Sequence, residues 1–223
     1  MSDESVVLRI KKLLALSLNN SNPAEAAAAM TKARELMVQH MVDEAHLRGA
    51  DTPTGTAIYE FRNNRKFQSW MEVTFIAVSK LFDASLIVSE GRELDTAIFV
   101  CADYDLELLK ETVLYSIATI LREAAVQCRG LAAANSFRAG AAQGFLEKAT
   151  KLQQEARVAE TANSGSEVTG LVHLKQNAIQ TAIKEKFPNL RNSSVRVSVS
   201  DATAYYAGKA VGNDLGKKQN KIE

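Results

Sequence analysis

The sequence predicts a helix-rich α+β protein, in which an N-terminal helical hairpin precedes a mixed domain of long helices and short antiparallel strands. Apolar residues recur at helical spacing over long stretches, and β-branched and aromatic residues alternate on either side of a short turn. A stretch rich in Gly, Pro and Thr separates these patterns into two parts. We therefore predict a hairpin domain at residues 1–47, a linker at 48–56, and an α+β domain at 57–223 with a basic C-terminal part.

The N-terminal part carries the signals of two helices that meet at one turn. Asn22 is a good N-cap, Pro23 suits the first helical position, and Glu25 completes a capping-box pattern. The second helix therefore begins at this turn, and the two helices form an antiparallel hairpin. Its inner faces are predicted to consist of Val6, Val7, Ile10, Leu13, Leu14 and Leu18 in the first helix and Met30, Ala33, Met37 and Met41 in the second.

Three short motifs in this part carry a resemblance to a known family. They are the run Lys12-Leu13-Leu14-Ala15-Leu16, the turn Asn22-Pro23-Ala24-Glu25-Ala26-Ala27, and the run from Lys32 through Glu35-Leu36-Met37 to His40. Together they resemble the N-terminal domain called domain of unknown function 2786, which is found in phage and bacterial proteins. Features near Trp70, Phe99, Phe137–Phe145 and Gly208–Gly212 are similar to the second domain that accompanies it, although Ala102 stands where a glycine is expected. The resemblance implies no agreed catalytic residues.

Composition and the N-terminus predict a soluble, cytoplasmic protein without a cofactor. The chain is 46% hydrophobic and 24% charged, and its acidic N-terminus is followed by no apolar signal segment or membrane span. Cys101 and Cys128 are too few for a disulfide framework and are predicted to be buried free thiols. The spacing of His40, His46 and His173 does not suit zinc, so we predict no metal site.

The second domain begins with the patterns of a strand, a core helix and a β-hairpin. Residues 57–62 alternate like a short strand, and residues 67–82 have helical spacing with apolar residues on several faces. Trp70 in that helix is therefore predicted to pack in the core rather than to stack on a base. Residues 85–89 and 97–101 predict two antiparallel strands around Glu90-Gly91-Arg92.

Long helices are predicted to follow this hairpin. One begins after residue 102, where Asp103 and Asp105 are predicted to cap its first turn or to charge it favourably. Another begins at residue 135 or 136 and ends near 159, and its Gly140 and Gly144 would allow close contact with a neighbouring helix. The rest of the chain predicts a mobile loop at 161–170, strands at 171–174 and 195–199, and helices at 176–187 and 202–211, the last capped by Asp201.

Charge is distributed unevenly along the chain. Residues 1–170 carry 18 Lys and Arg against 22 Asp and Glu, whereas residues 171–223 carry 9 against 4. Such asymmetry is typical of proteins that bind nucleic acid or another acidic partner, and a solvated surface with a basic tail explains it equally well. Aromatic residues interleaved with cations suit single-stranded nucleic acid. The candidate binding residues are Arg191, Arg196, Tyr205, Lys209, Lys217 and Lys218.

Three hypotheses of function follow. The first is a nonenzymatic accessory protein of a phage or mobile element that binds nucleic acid or a nucleoprotein complex; its phage association rests on the resemblance alone. The second is a protein-interaction module that inhibits or recruits a host factor through the helical hairpin. The third, a metal-dependent hydrolase or nuclease using Asp103, Asp105 or Asp201, ranks last, because no spacing predicts convergent carboxylates and a histidine. We accordingly assign no catalytic residue.

Overall fold

The structure, a computed structural model, describes residues 55–163 and 167–215 together with the isolated positions Arg9, Lys12, Leu13 and Lys32. Apart from those four positions, the predicted hairpin domain lies outside these residues. Nearly all of the predicted linker, Lys217 and Lys218 lie outside them as well. The compact unit Pro53–Asn213 contains the elements described below, except for Asp214, the last residue of the final helix.

Three antiparallel strands form the sheet of this unit. They are β1 (Thr56–Arg62), β2 (Ser85–Glu90) and β3 (Asp95–Ala102), in the order β1-β3-β2. Val100 of β3 lies opposite Ile58 of β1, and Ile98 lies opposite Ile87 of β2. The central strand β3 is buried along most of its length, because it has a strand on each side and helices packed against it. The predicted strand and hairpin are confirmed.

Five helices and one 3₁₀ turn complete the described chain. The 3₁₀ turn, Asp103–Asp105, leads directly from β3 into the second helix. The predicted helix-rich α+β class is confirmed. The helices are α1 (Ser69–Leu81), α2 (Leu106–Gln127), α3 (Leu131–Asn163), α4 (Glu167–Lys186) and α5 (Ala202–Asp214).

The core combines aromatic rings from the sheet and α1 with aliphatic side chains from α4. Phe75 of α1 and Phe99 of β3 pack edge to face, with ring centroids 5.8 Å apart. Trp70 is 5% exposed, so its predicted place in the core is confirmed, and its indole N–H donates to Gln68 Oε1 at 2.6 Å. Ile179 and Ile183 of α4 pack with Val100 of β3. These contacts hold α4 against the sheet.

Several predicted elements are wrong. Residues 171–174 belong to α4 rather than to a strand, because a short apolar run fits a buried helix as well as a strand. Residues 195–199 form no strand, since no neighbouring strand within the described residues pairs with their backbone. Within the predicted loop at 161–170, residues 161–163 belong to α3 and residues 167–170 to α4, while residues 164–166 lie outside the described residues. Helix α3 also begins at Leu131, ahead of the predicted 135 or 136.

Candidate functional site

The end of α4 and the connection from α4 to α5 together carry four exposed cations. This basic segment, residues 184–200, contains Lys184, Lys186, Arg191 and Arg196 against one acid, Glu185. None of the ion pairs in the described part of the chain involves any of the four cations. Charges that have no protein counterion remain available to phosphate oxygens.

The end of the basic segment is anchored to α3. The buried hydroxyl of Ser136 accepts hydrogen bonds from the backbone N–H groups of Ser200 at 3.1 Å and Asp201 at 3.0 Å. Asp201 Oδ1 in turn accepts the N–H of Ala204 at 2.9 Å, so the predicted N-cap is confirmed. These bonds fix where the basic segment ends and where α5 begins.

Helices α3 and α5 pack so closely that the glycines of each helix lie against the backbone of the other. A methyl group built at Gly140 or Gly144 would overlap the carbonyl oxygens of Tyr205 or Lys209. A methyl group at Gly208 or Gly212 of α5 would likewise overlap carbonyl oxygens of α3. The predicted close helix contact is confirmed, and its partner is α5. This packing fixes the rotation of α5 and so determines which of its side chains face outward.

The outward side of α5 carries two tyrosines and a lysine. The rings of Tyr205 and Tyr206 lie edge to face, with centroids 5.5 Å apart and an interplanar angle of 79°. Tyr206 is 68% exposed, whereas Tyr205 is only partly exposed. Lys209 Nζ lies 2.8 Å from Glu147 Oε1 of α3, and the hydrogen bond to that carboxylate is the main reason why the pKa of Lys209 is raised. Lys209 is therefore protonated but already paired.

The predicted binding residues thus fall into three groups. Arg191 and Arg196 are exposed and have no ion pair with any residue that the structure describes, as a phosphate-binding role requires. Tyr205 and Lys209 lie together on α5, where Lys209 has an acidic partner. Lys217 and Lys218 lie outside the described residues.

Three residues of this surface are absent from that predicted set. Lys184 and Lys186 continue the basic segment into α4, and the spacing Lys184-x-Lys186 just before Pro188 is a signal that could have identified them. Tyr206 is the exposed member of the tyrosine pair. Its exposure depends on the rotation of α5, which no local pattern in the sequence specifies.

Lys175, another cation of the basic C-terminal part, points inward. Its Nζ lies 2.7 Å from Asp105 Oδ2, and the side chains are 8% and 1% exposed. Burial is the largest single influence and lowers the pKa of Lys175, but Asp105, Tyr104 and Asp83 together raise it by more, so the net pKa lies above the ordinary value. The Lys175 ammonium also lies 5.6 Å from the centroid of the Tyr104 ring. The pair links α4 to the start of α2 and adds no charge to the surface.

The acids of the catalytic hypothesis have other contacts. Asp105 lies at the start of α2, where an acidic charge is one of its two predicted roles, but it makes no capping hydrogen bond, so the capping alternative is wrong. Its carboxylate pairs with Lys175 instead. Asp103 accepts the N–H of Tyr104 at 2.8 Å, and Asp201 caps α5. Within the described residues, no cluster of three or more His, Cys, Asp or Glu side chains is arranged to hold a metal ion.

The two cysteines are free thiols, as predicted, but only Cys101 is fully buried. Burial, followed by the charge of Asp105, raises the pKa of Cys101 to about 12. Cys128 is partly exposed, which corrects the prediction that both are buried, and burial and then Asp201 raise its pKa. Both thiols are therefore poor nucleophiles at neutral pH.

Comparison with known proteins identifies the N-terminal segment. Residues 5–44 match the family model described as "Protein of unknown function (DUF2786)", so the resemblance predicted from the motifs is confirmed for that segment. The match does not extend to the second domain. No curated protein matches the chain, and no solved structure matches it. Among the described helices, none combines the length and apolar character that a bilayer-spanning segment needs.

Proposed function

We propose that this protein binds nucleic acid through its basic segment. The observation that carries the proposal is the set of four exposed cations, Lys184, Lys186, Arg191 and Arg196, which have no ion pair in the described part of the chain. Surface cations normally gain little from pairing within a protein, but several close together on one segment attract a polyanion by releasing its bound counterions. The role is nonenzymatic, and the family resemblance associates it with phages or mobile elements.

Neutralising the four cations tests this proposal. Replacing Lys184, Lys186, Arg191 and Arg196 by Gln should weaken binding to DNA or RNA in fluorescence anisotropy. It should also flatten the dependence of log K on log salt by roughly 0.7 to 0.9 for each phosphate contact that is lost. Folding should be preserved, because all four side chains are exposed.

A control variant removes the same amount of charge elsewhere. The control positions are four other exposed cations: Arg62 on β1, Arg65 between β1 and α1, Arg92 between β2 and β3, and Lys151 on α3. Their replacement by Gln should leave affinity and salt slope nearly unchanged. Equal losses in the two variants would indicate a general effect of net charge. No binding of the unmodified protein to any DNA or RNA at low salt would refute the proposal.

A second function, recognition of another protein, is favoured by one face of α2. Leu114 and Leu121 are 47% and 41% exposed, and the exposed Ala118 and Ala125 continue the same helical stripe. An exposed apolar stripe is typical of helices that bind a partner. In this case one host protein should copurify in stoichiometric yield with the unmodified chain and be lost from a variant carrying Leu114→Glu and Leu121→Glu.

A further inference from the structure

The most exposed aromatic side chain in the described part of the chain lies on α5. Tyr206 is 68% exposed, and every other aromatic residue that the structure describes is buried or only partly exposed. A scattered exposed leucine or valine needs no explanation, but an exposed ring of this size leaves a large apolar face in water. The ring is therefore well placed to gain free energy when a flat partner covers it.

The surroundings of Tyr206 hold the ring in a defined place. Tyr205 contacts it edge to face at 5.5 Å, and this geometry leaves at least one face of the pair open. Helix α5 cannot rotate without separating from α3, because the glycine contacts are made with backbone atoms. A ring held in this way loses little conformational entropy when it binds, since neither the helix nor the ring has to be ordered first.

The ring also lies close to the basic segment along the chain. Five helical residues separate Asp201 from Tyr206, which corresponds to about 8 Å. Five further residues lead back to Arg196, and even fully extended they add no more than about 17 Å. A strand of a few nucleotides can therefore contact the cations with its phosphates while one base reaches the ring.

We propose that the ligand of the basic segment is a single-stranded nucleic acid, one base of which stacks on Tyr206. The proposal rests on the proposed function and names its substrate class. Bases in a duplex are already stacked on one another and present no free face to an isolated tyrosine, whereas bases in a single strand do. Lys209 stays with Glu147 beside the ring, so the phosphates contact instead the cations of the basic segment, which have no ion pair among the described residues.

Affinity measurements with two probes test the role of the ring. The probes are an oligothymidine of about 20 nucleotides, longer than the usual binding site, and the duplex that it forms with oligoadenine. Tyr206→Ala should weaken binding of the single strand by about 5- to 150-fold, the range that corresponds to the loss of one stacked base, and should leave duplex binding unchanged. Tyr206→Phe should retain most of the affinity, because the π-face remains.

A matched variant and a fluorescent reporter complete the experiment. Val126→Ala truncates an apolar side chain that is 77% exposed on α2 and should change neither affinity. In the variant Tyr206→Trp, oligothymidine should quench the new indole, whereas the unmodified protein, with only the buried Trp70, should show no quenching. The stacking proposal would be overturned if both probes bound, Tyr206→Ala did not change their affinities, and oligothymidine did not quench Tyr206→Trp. The proposed function would then still stand. Failure of both probes, and of the RNA strands of matching sequence, to bind at low salt would remove the proposed function itself.

Discussion

At the scale of single residues, Trp70 shows how burial decides between two roles of an aromatic side chain. Its side chain is 5% exposed and its indole N–H has a partner in Gln68. We expect Trp70→Ala to lower the free energy of unfolding by about 3 to 5 kcal/mol, because the truncation leaves a cavity in a packed core. Chemical denaturation monitored by circular dichroism measures this change. An unchanged midpoint combined with lost nucleic-acid binding would instead place Trp70 in the binding site.

The ion pair between Lys175 and Asp105 is the second residue-scale feature with a measurable consequence. Lys175→Met leaves a buried carboxylate without its cation and should cost about 3 to 5 kcal/mol of stability. The double variant Lys175→Met with Asp105→Leu should be more stable than this single variant, since no buried charge remains. A double variant that is less stable than the single one would show that the two side chains do not act as a pair.

The pair also predicts a dependence of stability on pH. The pKa of Lys175 is higher in the folded protein than the unperturbed value of 10.5, so folding favours its protonated form. The contribution of Lys175 is thus fully present below pH 10.5 and is lost as the pH rises through the higher folded pKa. The difference in unfolding free energy between the unmodified protein and Lys175→Met should be constant from pH 7 to 9 and should shrink above about pH 10.5.

At the scale of elements, the contact between α3 and α5 depends on the absence of side chains. Alanine has a better helix propensity than glycine by about 1 kcal/mol, which alone would favour Gly208→Ala. The added methyl group would, however, overlap the carbonyl oxygen of Phe137, so the helices would have to separate. We expect a net destabilisation of about 1 to 3 kcal/mol, the usual cost of overpacking.

An exposed position on the same helix provides the control for this prediction. Ala207 precedes Gly208 and faces solvent, so Ala207→Gly should cost only the propensity difference of about 1 kcal/mol. Thermal or chemical unfolding of both variants measures the two effects. A stabilised Gly208→Ala variant would mean that the two helices can move apart freely.

An element could be predicted from the sequence when the residues that stabilise it lie close to it in the chain. The strands β2 and β3, the helix α1 and the cap of α5 are specified by residues close together in the sequence, and their predictions are confirmed. The run 195–199 has the alternation of a strand, but pairing needs a neighbour that no local pattern reveals. The same limit applies to the candidate site. Arg191 and Arg196 are exposed, as charged residues in a polar stretch usually are. The ion pairs of Lys209 with Glu147 and of Lys175 with Asp105 join residues far apart in the sequence, so only the tertiary structure reveals them.

At the scale of the whole molecule, the buried core and the basic segment occupy neighbouring stretches of the chain. The net charge of +1 combines an acidic first part with a basic last part. The described buried side chains of the core lie almost entirely between Phe67 and Ile183, within the unit Pro53–Asn213. The basic segment follows that core directly. The candidate site and the elements that position it therefore belong to one continuous stretch of chain.

This arrangement predicts how a shortened chain should behave. The predicted linker at 48–56 is rich in Gly, Pro and Thr and should be cut first in limited proteolysis. A fragment that begins at Pro53 retains β1, the described core and the basic segment, so it should unfold in one cooperative transition and keep the affinity and salt dependence of the full chain for oligothymidine. A fragment that folds but loses binding would locate part of the interface in residues 1–52. Uniform resistance to cleavage through residues 49–55 would contradict the predicted linker, because a structured segment protects its backbone from the protease.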